Sequence, residues 1–203
     1  MPDPRIHAAP AERNREAILA VLRRHLPSRG LVLEIASGTG QHVVHFAAHL
    51  PQLQFQPTDP DAVRRASIDA WAGEAGLANI RPARALDASA AEWPVAAADA
   101  VLCINMIHIA PWDAAIGLVR TAGRMLSPGG VLYLYGPYRR GGAHTAASNA
   151  VFDADLRRRD PAWGVRDIEA VAALAEGAGF APPVVEPMPA NNFSLIFRRL
   201  PAA

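Results

Sequence analysis

The stretch Val32-Leu33-Glu34-Ile35-Ala36-Ser37-Gly38-Thr39-Gly40-Gln41 decides the reading of this chain. An apolar run from Leu31 to Ala36 follows Gly30, the pattern of a short strand buried on both faces in a parallel sheet. Small residues come next, and a helix is expected from about Gln41 to Leu50. Glycines in that turn let the backbone reverse tightly and approach a ligand with no Cβ in the way. The helix that follows opens with unpaired N–H groups. Asp59 lies 19 residues after Gly40, just past a second short strand expected over Gln54 to Thr58. An acid in that position can accept hydrogen bonds from both hydroxyls of a ribose. The unit therefore predicts a nucleoside held at the carboxyl ends of the first two strands, where open α/β sheets bind ligands.

Outward from this unit, strands and helices alternate. Helices are expected over Pro10 to Leu26, Asp61 to Ala75, Trp112 to Leu126 and Asp167 to Ala178, each with apolar residues at helical spacing. A further helix is expected around Asn149 to Arg158. Strands are expected over Ile80 to Ala85, Ala98 to Ile104, Val131 to Tyr135, Val184 to Met188 and Phe193 to Arg198. The last two have no helix between them and should pair antiparallel. The expected fold is α/β and Rossmann-like: a mostly parallel, seven-stranded sheet with helices on both faces and a C-terminal antiparallel hairpin. The 203 residues suit a single domain over 1–203, with a lid insertion at 137–167 after the fifth strand.

Composition narrows the function classes. Half of the residues, 51 %, are apolar and 19 % are charged, a globular balance. The formal net charge of +1 gives no global field toward nucleic acid or an anionic membrane. Every basic residue other than histidine is arginine. Cys103 is the one cysteine, which allows no disulfide within the chain and suits a reducing compartment. Met1 to Ala11 has no apolar h-region, and no run approaches the roughly 20 apolar residues of a membrane span. A cytoplasmic location is the expectation.

The nucleoside can be narrowed further. Gly38-x-Gly40-x-x-Val43 departs from the dinucleotide fingerprint at its last position, where Gly or Ala lets helix and strand pack closely. An NAD site would also use the helix end for a pyrophosphate. S-adenosylmethionine carries an amino acid tail and a sulfonium instead, and the strand-end Glu34 suits a cationic amine. The reading is an S-adenosylmethionine-dependent methyltransferase; an NAD-binding oxidoreductase and a non-catalytic cofactor-binding interaction module are the alternatives.

Glu34-x-Ala36-x-Gly38-x-Gly40 resembles the first motif of the class I methyltransferases, with Ala36 where a glycine is more common. More specifically, the chain resembles the DUF938 family, which includes proteins called methyltransferase-like 26. Arg13-Asn14, Leu33 to His42, Gln56 to Asp59, Ile104 to Trp112, Tyr135-Gly136-Pro137, Asn149, Phe152-Asp153, Asp160, Trp163-Gly164, Arg166-Asp167 and Met188 to Asn192 carry that resemblance. It covers nearly the whole chain. It implies a methyltransferase fold, with Glu34, Ala36, Ser37, Gly38, Gly40, Asp59 and Asn105 around the cofactor and Asp87 on the adenine amine. Trp93 is a candidate cover for the adenine face.

Methyl transfer needs an aligned acceptor, exclusion of water and sometimes removal of a proton. Asn105 and His108 follow the Ala98 to Ile104 strand and are the catalytic candidates. Asn105 can orient an acceptor or line the cofactor pocket. His108 can be a general base, its ordinary pKa of about 6.5 suiting neutral operation, or a buried histidine holding the loop. Tyr138, Trp163 and Arg166 from the insertion, with Asn191 or Asn192 from the final turn, are expected to enclose the acceptor. Mixed aromatic and polar groups suit a small molecule rather than nucleic acid. His42 and His45 sit three apart on one helix without acidic or cysteine partners in sequence, so no metal is expected.

Overall fold

β1 (Gly30–Ile35) is buried on both faces: Val32, Leu33 and Ile35 are at most 1 % exposed and Glu34 only 2 %. A strand covered on both sides needs a continuous apolar run rather than alternation, and that run was the sequence signal. The computed structural model describes residues 3–201. By contact, the chain forms two compact units, Met1–Leu102 and Cys103–Ala203.

The first unit contains α1 (Ala9–His25), β1, α2 (Gln41–His49), β2 (Leu53–Pro57), α3 (Ala62–Ala75) and most of β3 (Ala98–Ile104). Its strands lie in the order β2-β1-β3. β1 and β2 pair parallel, with Val32 opposite Phe55 and Glu34 opposite Pro57. α1 buries Ile18, Leu19, Val21 and Leu22, as their spacing predicts. α3 is capped by the Asp61 carboxylate, which accepts the Val63 N–H at 2.8 Å, and ends at the left-handed Gly76.

The second unit contains α4 (Trp112–Met125), β4 (Leu126–Gly136), β5 (Tyr138–Arg140), β6 (Ala143–His144), α5 (Ala147–Arg159), β7 (Arg166–Asp167), α6 (Ile168–Gly177), β8 (Val184–Met188) and β9 (Asn192–Arg198). The order β4-β9-β8 is antiparallel throughout, and β8 and β9 form the expected hairpin. Tyr133 and Ser194, fully buried on β4 and β9, satisfy each other at 2.7 Å. The 137–167 segment is built around a small sheet, β6-β5-β7, with α5 beside it.

Two expectations need correction. Residues 80–85 form no strand: Ile80 and Arg84 make isolated parallel bridges to Phe55 and Thr58. Pro82 supplies no N–H for a ladder there. The two units therefore carry three principal strands each, six in place of the seven expected. The strand expected from Val131 begins earlier, at Leu126, because the Gly129 and Arg199 N–H groups bond the Arg199 and Gly130 carbonyls.

Gly40 shows how tightly the turn after β1 is packed. Its φ is +92°, and a Cβ there would lie 2.7 Å from the Ile68 Cα on α3. Gly40→Ala should destabilise the protein by about 2–4 kcal/mol, combining backbone strain with overpacking. Urea denaturation checks this; an unchanged midpoint contradicts the packing argument.

Candidate cofactor and acceptor sites

The first unit crosslinks the ends of β1 and β2. Thr58 donates to the Glu34 carbonyl from both its backbone N–H, at 3.0 Å, and its hydroxyl, at 2.7 Å. The Ser37 N–H returns to the Thr58 carbonyl at 2.7 Å. These bonds force residues 36–40 into a tight turn. Ala36 (φ +53°), Gly38 (φ +61°) and Gly40 all adopt positive φ, which explains why glycine suits the place Ala36 holds.

The Gly38 N–H donates to Asp59 Oδ2 and the Asp61 N–H to Asp59 Oδ1, both at 3.0 Å. Each oxygen therefore retains a lone pair for a further donor such as a ribose hydroxyl. Burial raises the Asp59 pKa, against the pull of those two backbone N–H groups. Glu34 is more extreme. Its Oε2 is buried with no hydrogen-bond partner, and burial pushes its pKa up to about 7. A buried carboxylate next to a glycine turn is suited to a cationic group that arrives with a ligand. Glu34, Ser37, Gly38, Gly40 and Asp59 are thus gathered at one turn.

Asp87 is exposed, and its Oδ1 accepts from the Ser89 N–H and hydroxyl at 2.9 and 2.7 Å. It caps a local turn rather than a helix. Trp93 is half-buried with its indole Nε1 unpartnered. His42 bonds Asn14 at 2.7 Å and His45 lies 3.3 Å from Glu16, so both face α1.

In the second unit Asn105 takes a left-handed conformation, φ +63°, where asparagine is enriched. Its N–H holds the Tyr135 carbonyl at 2.8 Å and its carbonyl accepts the His108 N–H at 3.0 Å. His108 is fully buried. Its Nδ1 accepts the Arg166 N–H at 3.2 Å, its carbonyl accepts the Gly164 N–H at 2.9 Å, and its ring meets Tyr138 edge-on at 4.8 Å. Burial, aided by the Arg166 charge, pushes the His108 pKa down to about 3. A general base here would work against that shift and with Nδ1 already accepting, which leaves Nε2, buried and unpartnered, for the ring proton. The same contacts suit the other reading, a buried histidine that holds the loop.

Tyr138 is fully buried against His108, with its hydroxyl unpartnered. The Arg166 guanidinium donates to the carbonyls of Ile107, Ala110 and Ala162 at 2.7–2.9 Å and lies over Trp112. It staples the 107–110 turn to the 162–166 segment, leaving little of its fork for a ligand. Trp163 is half-buried under Arg159.

Asn191 and α5 do come together. The Asn149 amide donates to the Asn191 carbonyl at 2.9 Å, and the Asn191 amide donates to Ser148 at 3.1 Å. Asn192 instead bonds Pro189 and Ala190, within its own turn. Sequence reasoning missed the roles of Thr58 and Asp153. Asp153 accepts the Val165 N–H at 2.7 Å and Arg157 Nε at 3.2 Å, fixing α5 to the chain before β7. Its pattern of neighbours in sequence gave no such signal, because the partner is twelve residues away in a loop.

Glu34 yields a signed stability effect. Its folded pKa, about 7, exceeds the ordinary glutamate value of about 4.3. The folded state then retains the proton longer, so this contribution to stability is full below the unfolded pKa and is lost as pH rises through 7. Glu34→Gln should gain on the wild type by up to about 3 kcal/mol between pH 4.5 and 8. Comparing variant with wild type at each pH by chemical denaturation cancels the titration of His42 and His108. A difference that does not grow with pH contradicts this account of Glu34.

Comparisons with known proteins fit this geometry. The structure resembles an O-methyltransferase family 2 protein from Planctomyces limnophilus solved with apigenin (TM-score 0.81, 17 % identity, 95 % of this chain and 58 % of that one). It also resembles an O-methyltransferase family protein from Burkholderia thailandensis (TM-score 0.77, 18 % identity, 93 % and 59 %). A third is an O-methyltransferase from neocarzinostatin biosynthesis, solved with S-adenosylmethionine and 2-hydroxy-5-methyl naphthoic acid (TM-score 0.75, 15 % identity, 94 % and 54 %). The chain spans a little over half the length of these proteins. At such identities the likeness establishes the α/β methyltransferase-type fold. Residues 5–199 match the family described as "Protein of unknown function (DUF938)", and the chain belongs to that family.

Proposed function

We propose that this chain binds S-adenosylmethionine and transfers its methyl group to a small molecule. The observation that carries the reading is the unpartnered, buried Glu34 carboxylate beside a turn whose Gly38 N–H holds Asp59. Glu34 would pair with the amine of the amino acid tail, and Asp59 would accept the ribose hydroxyls. Gly38 and Gly40 keep side chains out of that turn, with Ala36 and Ser37 completing it. Asp87 would hold the adenine amine. When bound, the cofactor supplies a methyl group already activated by a sulfonium.

The protein's part is then to align the acceptor and exclude water. Asn105 is the group we assign to orienting the acceptor; its left-handed backbone is fixed by Tyr135 and His108. His108, neutral, braces that turn. Burial depresses the His108 pKa and its Nδ1 already accepts, so we assign the transfer to an acceptor atom that is nucleophilic without a base. Trp163 and Asn191 are the remaining candidates to face an acceptor, Asn191 through its tie to α5. A small molecule is favoured by the net charge near zero and by the apigenin and naphthoic acid found in the similar structures. Among the described residues no helix is long and apolar enough to cross a membrane.

Isothermal titration with S-adenosylmethionine and with NAD tests the reading; binding of the first and not the second is expected. Asp59→Ala should weaken that binding by at least tenfold, the loss of a charged hydrogen bond worth about 1.5–3 kcal/mol. Unaltered affinity in a folded Asp59→Ala protein would remove the assignment.

Affinity should also rise as pH goes from 5.5 to 7, because a cationic amine selects the ionised form of Glu34. Proton release on binding at pH 6, measured in buffers of different ionisation enthalpy, checks the sign. Proton uptake there would contradict it.

A further inference from the structure

Thr39, in the middle of the glycine turn, is gripped from two sides. Ser67 on α3, fully buried, donates its hydroxyl to the Thr39 carbonyl at 2.8 Å. The Thr39 hydroxyl donates to Gln41 Oε1 at 3.1 Å. The same two side chains also hold the chain ahead of α1. The Ile6 N–H donates to Ser67 Oγ at 2.8 Å, and the Ala8 N–H donates to Gln41 Oε1 at 2.6 Å.

Residues 5–8 have no regular hydrogen-bonding pattern of their own. Their two inward N–H groups are two residues apart, the period at which an extended chain presents one edge. Trp71 on α3 completes the attachment. Its indole N–H donates to the Ile6 carbonyl at 3.0 Å, Arg5 lies over its ring at 5.3 Å, and the His7 ring meets it edge-on at 4.9 Å. Gln41 Nε2 then reaches Glu12 Oε1 at 3.3 Å and His42 reaches Asn14 at 2.7 Å, carrying the attachment into α1.

No cofactor contact needs any of these side chains. Yet the strap and the turn share both anchors, so ordering one orders the other. A half-buried segment outside the regular elements, held by four or five weak bonds, opens more readily than the core does. A ligand that fixes the turn must then stabilise the closed strap by the same factor as the strap favours the ligand.

We propose that Gln41 and Ser67 are positioning residues for the cofactor turn, acting through Thr39, and that residues 5–8 form a strap whose closure is coupled to S-adenosylmethionine binding. The proposal rests on the cofactor reading above and adds a coupling that reading does not contain. Gln41→Leu removes the shared acceptor, and Ser67→Ala removes the other anchor. Gln41→Glu keeps an acceptor oxygen for Ala8 and Thr39 but sets a carboxylate against Glu12, so it is paired with Glu12→Gln, which returns a donor to that contact and should restore affinity.

The test combines titration with S-adenosylmethionine and hydrogen exchange of the Ile6 and Ala8 amides in the full chain. Saturating cofactor should slow exchange of both amides in the wild type. Gln41→Leu and Ser67→Ala should each weaken binding about fivefold or more and abolish that added protection, and the Gln41→Glu, Glu12→Gln pair should recover most of what Gln41→Leu loses. A merely structural role would lower stability without making strap exchange depend on the cofactor. Exchange unaffected by bound cofactor, or variants that bind as the wild type does, overturn the coupling alone. A wild-type chain that binds no S-adenosylmethionine overturns the cofactor reading and the coupling with it. The wild-type exchange arm decides the matter even if one variant fails to fold.

Discussion

The crosslink between the ends of β1 and β2 is the constraint on which the rest depends. Thr58 places two donors on the Glu34 carbonyl, and Gly38 reaches Asp59. Adjacent parallel strands have no turn between them to set their ends, so something else must fix where each chain leaves the sheet. Here the bonds fix it, and they leave two carboxylates beside a glycine turn at the strands' carboxyl ends. The Asp59 charge raises the Glu34 pKa, and burial adds the larger share. The apoprotein tolerates this because Glu34 can remain protonated up to about neutral pH. The arrangement stores a preference for positive charge that no protein group satisfies at Oε2.

The second unit solves a different problem, that of holding an irregular turn without mobile side chains. Residues 105–110 follow β3 and make few ladder bonds of their own. Their carbonyls are instead taken up by Arg166 and Gly164, while His108 accepts at Nδ1 from the Arg166 backbone. A guanidinium is suited to this, with five donors in a fixed plane. Burying it among carbonyls is the reason Arg166 and His108 read as machinery in sequence and as scaffolding in structure. Asn105, at the head of this turn, keeps a half-exposed side chain.

The legibility of the sequence follows from the range of the interactions involved. β1, its glycine turn and Asp59 were readable because strand burial, positive φ and an acid at a strand end each leave a local mark. The paired final strands were readable because no helix separates them. Residues 80–85 misled, since an apolar and small-residue run resembles a strand while Pro82 withholds a donor. His108, Tyr138 and Arg166 were legible only as residue types: type reports chemistry, and burial and partners decide how accessible that chemistry is. The Arg166 carbonyl partners lie up to 59 residues away, and spacing along the chain carries no trace of them. The shared anchors of Thr39 were hidden likewise, with Ser67 contributing from α3 and Gln41 from α2.

The central claim is that the buried Glu34 carboxylate waits for the cationic tail of S-adenosylmethionine. Carbon-13 NMR of a Glu34-labelled protein, titrated with and without the cofactor, tests it at the atom concerned. The account predicts a pKa of about 7 in the free protein that falls to or below the ordinary glutamate value of about 4.3 when the cofactor is bound. A carboxyl that titrates alike in both states, or one already ordinary in the free protein, would contradict it.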